Sequence, residues 1–285
     1  MFNPDQYALL DFGRGRKLER FGAYTLDRAA PAADEASIAS VEAWRGANAT
    51  YERLDAERGA WQTPANAPET WTIHHGSLVF ELRRTDFGQV GLFPEQAANW
   101  DWLEQVVRGA QRPLKVLNLF AYTGGSSLAA AAAGAEVVHI DAARNVVQWA
   151  RRNAELSALA DRPIRWIAED AAKFVARELK RGHAYDAVIL DPPSYGHGTS
   201  GEVWKLADHL PALLADCRRL TSARRAFILL SCHTPGYGPR QLREILREHI
   251  GPGQVKVQSL DLVSASGRTL PSGVAARWLP AQVAS

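Results

Sequence analysis

The 285-residue chain has only two cysteines, Cys217 and Cys232. Two thiols make neither a disulfide framework nor a four-ligand metal site, so no metal is expected and a reducing cytoplasm suits the chain. No stretch reaches the roughly 18–20 uncharged apolar residues of a membrane span, which predicts no membrane association. The opening MFNPDQYALLDFGRGRK lacks a basic start followed by an apolar core, which argues against export. Neither sign of charge dominates: 33 Lys+Arg against 31 Asp+Glu leave a net charge of +2, too little to mark a nucleic-acid binder. Residues 1–90 contain no internal repeat and no low-complexity tract. What is present is 46% hydrophobic residues, enough to bury the core of one large domain or of a domain with a smaller appendage.

Charge is unevenly placed. Residues 1–90 carry 10 Lys/Arg against 13 Asp/Glu, and residues 91–285 carry 23 against 18, so a polyanion would meet the second part. The exception is GRGRKLER at 13–20, whose plainest reading is a solvated turn. Residues 1–90 alternate with a strand-like period in GAYTLDR, TYERLD and WTIHHGSLVFELRR, with a hairpin turn expected at Gly76. They predict a small β-rich domain. The AAPAADEAS stretch reads as a loop with a short helix after it.

From about Pro94 the rhythm changes to strands alternating with helices. KVLNLFA, EVVHID, IRWIAED, YDAVILDPP and RRAFILLSCH read as strands, with helical patterns between them. VKVQSLDLV and VAARWL read as two further β segments. Apolar strands alternating with helices predict an α/β, Rossmann-like domain over residues 91–285, with a parallel sheet covered on both faces. Ligands in such sheets sit at the C-terminal strand ends. Those ends hold the unusual residues: the glycine pair Gly124 and Gly125, then Asp141, Asp170, Asp191 with Pro192 and Pro193, and Cys232.

The turn FAYTGGSS has neither the G-x-G-x-x-G of a pyrophosphate site nor the G-K-[ST] of a P-loop. A glycine turn still brings backbone close to a ligand, and the helix N-terminus beyond it can face a carboxylate. Asp141, at the end of the next strand, is placed to accept from a ribose, and Asp170 from an adenine amine. An amino-acid head, a ribose and a base together describe S-adenosylmethionine. An ordinary βαβ unit with a capping aspartate would carry the same residues. After YDAVIL, the two prolines fix a stiff exit that can present Asp191 and a backbone carbonyl to a base amine, with Tyr195 free to stack. A rigid turn is the competing reading. Cys232 could be a nucleophile only with a lowered pKa or an adjacent base. His233 is a doubtful partner for it, because neighbours on a strand face opposite ways. Cys217, among helical leucines, is expected in the core.

Together NLFAYTGGSSLAAAAAGA, VVHIDAARNVVQWARRNAELSAL, AED, YDAVILDPPSYG and LLSCHTPGY resemble the class I S-adenosylmethionine-dependent methyltransferases. Within them the resemblance is to the bacterial 23S ribosomal RNA enzymes that make 5-methylcytosine or 7-methylguanine. It spans roughly residues 91–278, and GLFPEQAANW is similar to the G-x-F-x-D-Q-R element that lies against the cofactor. The resemblance implies Phe93, Gln96, Phe120, Ala121, Tyr122, Thr123 and Gly124 as cofactor residues. It adds Asp141 with Ala142, Asp170 with Ala171, and Asp191 with Pro192. Pro193 and Tyr195 would meet the substrate, a base of RNA, with Asp191 at the reacting methyl. Cys232 stands where 5-methylpyrimidine members keep a nucleophile, whereas a 7-methylguanine member needs none. Ala97 replaces the family's arginine, HTPGYG departs from the usual serine-glycine continuation, and residues 1–90 do not resemble the relatives' RNA-binding module. A methyltransferase acting on a small molecule or protein, and a non-catalytic binding protein, are the alternatives. The intact glycine turn and DPP argue against the second, and the missing pyrophosphate turn argues against a dehydrogenase.

Overall fold

The computed structural model describes residues 1–55, 58–197 and 203–281. Contacts divide it into two units, residues 1–98 with 261–272, and residues 99–260 with 273–285. The boundary expected from the change of rhythm, at 90/91, thus falls inside the first unit.

The first unit contains a five-stranded sheet, in order Tyr7–Gly13, Arg16–Phe21, Tyr24–Ala29, Ala49–Arg53 and Gly59–Gln62. A separate hairpin pairs Thr70–His75 with Leu78–Arg83, and Gly76 turns it with φ 56°. Alternation places Leu18, Phe21, Leu26, Ile73, Phe80 and Leu82 in the interior. The basic run at 13–20 is a turn only at residues 14–15; from Arg16 it is a strand rather than a solvated turn, and three of its four basic side chains are engaged locally. Arg16 bonds Asp27 at 2.6 Å, Lys17 reaches Glu19 at 3.1 Å, and Arg20 donates to the Pro4 carbonyl at 2.6 Å. Glu19 is fully buried and also holds buried Arg28 at 2.6 Å. Buried Asp11 accepts from Trp44 Nε1 at 2.8 Å and from the backbone N–H groups of Phe12, Ala39 and Ser40, and it pairs with Arg268.

In the second unit seven strands form one sheet: β1 (Lys115–Leu119), β2 (Glu136–Asp141), β3 (Ile164–Ala168), β4 (Ala187–Leu190), β5 (Phe227–Cys232), β6 (Gln254–Ser259) and β7 (Val274–Leu279). Their order is β3-β2-β1-β4-β5-β7-β6; the first five are parallel and β7 is antiparallel to both neighbours. β4 and β5 are buried throughout, as strands covered on both faces must be. The helices are α1 (Ala97–Arg108), α2 (Gly125–Ala132), α3 (Arg144–Leu156), α4 (Ala171–Lys180), α5 (Leu206–Leu220) and α6 (Pro239–His249). α4, α5 and α6 share one apolar cluster with the sheet, through Phe174, Leu213, Leu214, Leu242 and Leu246; Cys217 is part of it. α2 and α3 pack against β1, β2 and β3.

One reading of the sequence needs correction. VKVQSLDLV is not a continuous strand. β6 ends at Ser259, and the next β segment, Leu262–Val263, pairs with Thr269–Leu270 as part of the first unit, where Ser264 also bridges to Leu9. Local alternation cannot reveal that the chain changes units in mid-pattern.

Candidate active site

The parallel register sets the site. Leu119 lies opposite both Ile140 and Leu190, and Ala168 lies opposite Asp141, so the residues that follow these strands emerge along one edge. After β1 the chain turns back through three positive-φ residues: Phe120 (56°), Tyr122 (49°) and Gly124 (94°). Left-handed geometry at two non-glycine residues costs of order 1–3 kcal/mol each and clusters at ligand sites. Gly124 is required by its left-handed backbone and Gly125 by space. A Cβ at Gly124 would lie 3.1 Å from Ala150 Cβ, and one at Gly125 would lie 2.5 Å from the Trp100 indole.

Asp141 joins this turn to the next. Its Oδ2 accepts from Tyr122 N–H at 2.9 Å and its Oδ1 from Ala143 N–H at 3.0 Å, across Ala142. Burial pushes its pKa up, against the pull of those two bonds. Beneath lies a polar chain the sequence reading missed. Asn118 Nδ2 donates to Ser127 Oγ at 2.9 Å, and Ser127 Oγ lies 3.0 Å from His139 Nδ1. Burial drives His139 down to about 3, so the ring is neutral. Asn153 adds a bond to the Thr123 carbonyl at 3.0 Å. The signal was available: an asparagine inside VLNLF and a histidine inside VVHID interrupt strands that are otherwise apolar.

Asp170 acts as the N-cap of α4, its Oδ1 accepting from Lys173 N–H at 2.9 Å, with Ala171 buried behind it. Phe93 and Gln96 belong to the first unit, where Phe93 precedes the 3-10 turn Pro94–Gln96 and Gln96 is buried. The structure thus brings Phe120, Ala121, Tyr122, Thr123, Gly124, Asp141 and Ala142 together with Asp191 and Pro192, and Asp170 with Ala171 follows at the end of β3.

After β4, Asp191 Oδ1 lies 3.3 Å from His233 Nε2. Pro192 is buried, and the Pro193 carbonyl accepts from Trp204 Nε1 at 2.8 Å. Trp204 packs on Phe120 with ring centroids 4.9 Å apart, tying this exit to the glycine turn. Tyr195 starts a short strand paired with Val203–Lys205 and is 53% exposed. Cys232 is only 1% exposed. Burial pushes its thiol up, outweighing hydrogen bonds from Thr234, and the Asp191 charge pushes the same way. The activation a nucleophile requires is not built around it, and His233 serves Asp191 instead.

An edge with a close-approach glycine turn, a carboxylate at the second strand end and a proline-stiffened carboxylate at the fourth defines a class: α/β enzymes of the Rossmann-like type that bind a nucleoside cofactor without a pyrophosphate. The model of the S-adenosylmethionine-dependent methyltransferases matches residues 39–248, and the chain belongs to that family. A methyltransferase of known structure from Agrobacterium tumefaciens is 40% identical, with a TM-score of 0.90 over 96% of this chain and 90% of that one. Ribosomal RNA large subunit methyltransferase K/L of Hahella chejuensis is 29% identical over 64% of this chain and 23% of its own length. Ribosomal RNA large subunit methyltransferase I of Aeromonas hydrophila is 35% identical over 36% of this chain and 24% of its own. This chain therefore spans about a quarter of the length of those two relatives. Among the described residues no helix is long and apolar enough to cross a membrane, and no group of three or more His, Cys, Asp or Glu side chains could hold a metal.

The residues fit the family's cofactor. Each Asp141 carboxylate oxygen accepts one backbone N–H and keeps a second lone pair, so the group can accept from both hydroxyls of a ribose.

Proposed function

We propose that the chain transfers a methyl group from S-adenosylmethionine to a base of ribosomal RNA. The observation that carries this reading is Asp191 and exposed Tyr195 on one proline-stiffened exit beside the glycine turn, which suits a planar, amine-bearing acceptor. The two ribosomal RNA methyltransferases among the relatives support it. Bound S-adenosylmethionine supplies a methyl on a sulfonium, transferred with the S–C electron pair left on sulfur. The protein's share is placement. Phe120 to Gly124 would hold the methionine end, Asp141 the ribose, and Asp170 the adenine. Phe93 and Gln96 remain cofactor candidates by resemblance. Asp191 would accept from the base, Pro192 and Pro193 would fix its approach, and Tyr195 would stack on it.

Between the two products the sequence left open, burial of Cys232 and the upward push on its thiol favour a ring nitrogen such as N7 of guanine, which attacks without a thiolate. Nucleoside mass spectrometry of ribosomal RNA after incubation with isotopically labelled S-adenosylmethionine tests this, with Cys232→Ala alongside. Labelled 7-methylguanine from both proteins is expected. Labelled 5-methylcytosine that vanishes in the variant would restore Cys232 as nucleophile. No label in RNA, with cofactor bound, would move the search to a small molecule or protein.

A further inference from the structure

The first unit holds a cavity of about 180 Å³ that methyl transfer leaves without a task. The described residues that line it all lie between Lys17 and Glu95, so the glycine turn, Asp141, Asp191 and Tyr195 contribute nothing to it. Its apolar lining is Pro31, Tyr51, Leu92, Phe93 and Pro94. Its cations are Lys17, Arg28 and Arg53, against Glu95 as the lining acid, although residues 1–90 as a whole are net negative. Lys17 and Arg28 are already balanced, because both reach buried Glu19, at 3.1 and 2.6 Å. The interior therefore suits a neutral polar ring better than an anion. Arg53 differs: it is exposed and makes no ion pair among the described residues.

Size narrows the choice. A cavity of about 150 Å³ takes one benzene ring, so this one takes a single base and leaves its sugar and phosphate outside. Phe87 stands at the rim, 66% exposed, on a turn whose backbone is tied on both sides. Thr85 N–H donates to the Gln89 carbonyl and Gly88 N–H to that of Thr85, both at 3.0 Å. Tyr51 Oη donates to the Asp86 carbonyl at 2.8 Å, and Arg28 Nη1 to that of Gly88 at 3.1 Å. Gly88 has φ 78°, and a Cβ there would lie 2.7 Å from the Tyr51 ring, so the turn packs directly on the cavity's own lining. A solitary exposed aromatic is ordinary. One held on a fixed turn beside an exposed cation and a ring-sized cavity is a stacking surface.

We propose that this cavity is an RNA subsite: it takes one unpaired base other than the base that is methylated, with the phosphate against Arg53 and the neighbouring base stacked on Phe87. The proposal rests on RNA as the substrate and gives the first unit a share in choosing it. Recognition of this kind needs a single strand, because a base inside a duplex is stacked on both faces and cannot enter.

The test uses the full chain as wild type, Phe87→Ala, Phe87→Trp, Arg53→Gln and Ala29→Phe, the last filling the cavity from an exposed lining position. Each form is checked for an unchanged circular dichroism spectrum and for S-adenosylmethionine affinity within about twofold of wild type, by calorimetry. Binding of a fluorescein-labelled single-stranded RNA of mixed sequence, and of the same strand in a duplex, is read by anisotropy over a range of salt. Phe87→Ala and Ala29→Phe should each weaken single-strand binding about tenfold, and Phe87→Trp should restore it. Arg53→Gln should make the slope of log affinity against log salt shallower by about 0.7, the share of one phosphate. The duplex should bind more weakly than the single strand. Phe87→Ala and Ala29→Phe proteins that both bind within about twofold of wild type would overturn the proposal, as would a duplex bound as tightly as the single strand. Labelled methyl transfer to ribosomal RNA by wild type is measured in parallel and judges the substrate reading by itself. Labelled RNA with unaffected variants removes the cavity and keeps the substrate. Wild type that binds no strand overturns the cavity's role, and unlabelled RNA removes the substrate reading.

Discussion

Two aspartates flank β4 five positions apart, and their surroundings are opposite. Asp186, just before the strand, is fully buried. Its Oδ1 meets Arg112 and also Arg224 Nε at 2.9 Å, and its Oδ2 accepts from Lys115 N–H at 2.7 Å. Burial alone would raise its pKa, but the hydrogen bonds from Arg112 and Lys115 and the two guanidinium charges hold it below the usual carboxylate range. Asp191, just after the strand, faces an imidazole at 3.3 Å and is partly open to water. One end of the strand is clamped by two guanidinium groups, and the other meets an imidazole and water. A parallel sheet separates these tasks because all five strands begin at one edge and end at the other. Acidic residues in the same strand can therefore serve stability and chemistry without competing.

The largest expected effect breaks the clamped end. Asp186→Ala takes the acceptor from Lys115 N–H and the partner from two guanidinium groups and should cost about 2 kcal/mol, read from urea unfolding, with S-adenosylmethionine affinity unchanged. Asp191→Ala is its mirror image. Methyl transfer should fall about 100-fold while the unfolding midpoint hardly moves. A large loss of stability there would erase the distinction between the edges. Asp141 combines both characters. Asp141→Ala should raise the S-adenosylmethionine dissociation constant at least about tenfold, or 1.4 kcal/mol, by calorimetry. Its raised folded pKa means that its ionisation opposes folding, a cost that grows as pH rises through the folded value. Asp141→Asn relieves the buried charge but sets an amide NH2 against one of the two backbone donors, so the unliganded protein should gain no resistance to heat at neutral pH.

Acid should sharpen the contrast. Asp186 and Asp11 have lowered pKa values, so the stability they contribute is complete above the unfolded carboxylate value of about 3.9 and is lost as pH falls through their folded values. The difference in melting temperature between wild type and Asp186→Asn should accordingly shrink below about pH 4. The smallest effect is at Cys232. Cys232→Ala should leave methyl transfer within about twofold and cost about 1 kcal/mol for the buried thiol.

Much of the parallel half was legible because VLNLF, AVIL and FILLSC are too apolar for anything but strands covered on both faces, and the chain punctuates each with a turn. The candidate residues at strand ends followed from that rhythm. The seating of β7 between β5 and β6 was not legible, since nothing local to VAARWL specifies its neighbours. Local sequence does not show which groups already engage a candidate residue: Asp141 is held by Tyr122, Asp170 by its own helix, and His233 lies beside Asp191. Four arginines of the second unit have local partners: Arg152, Arg219 and Arg224 bond Glu155, Asp216 and Asp186, and Arg225 lies over the Trp278 ring.

The excursion of residues 261–272 into the first unit bears on how this chain can be divided or recombined. A protein starting at residue 99 would retain that excursion but lose Leu9, which pairs with Ser264, and Asp11, which holds Arg268. Leu262 and Leu270, buried in the intact chain, would become sticky surface. Any exchange of the first unit between relatives must therefore carry two separate pieces of sequence, residues 1–98 and 261–272.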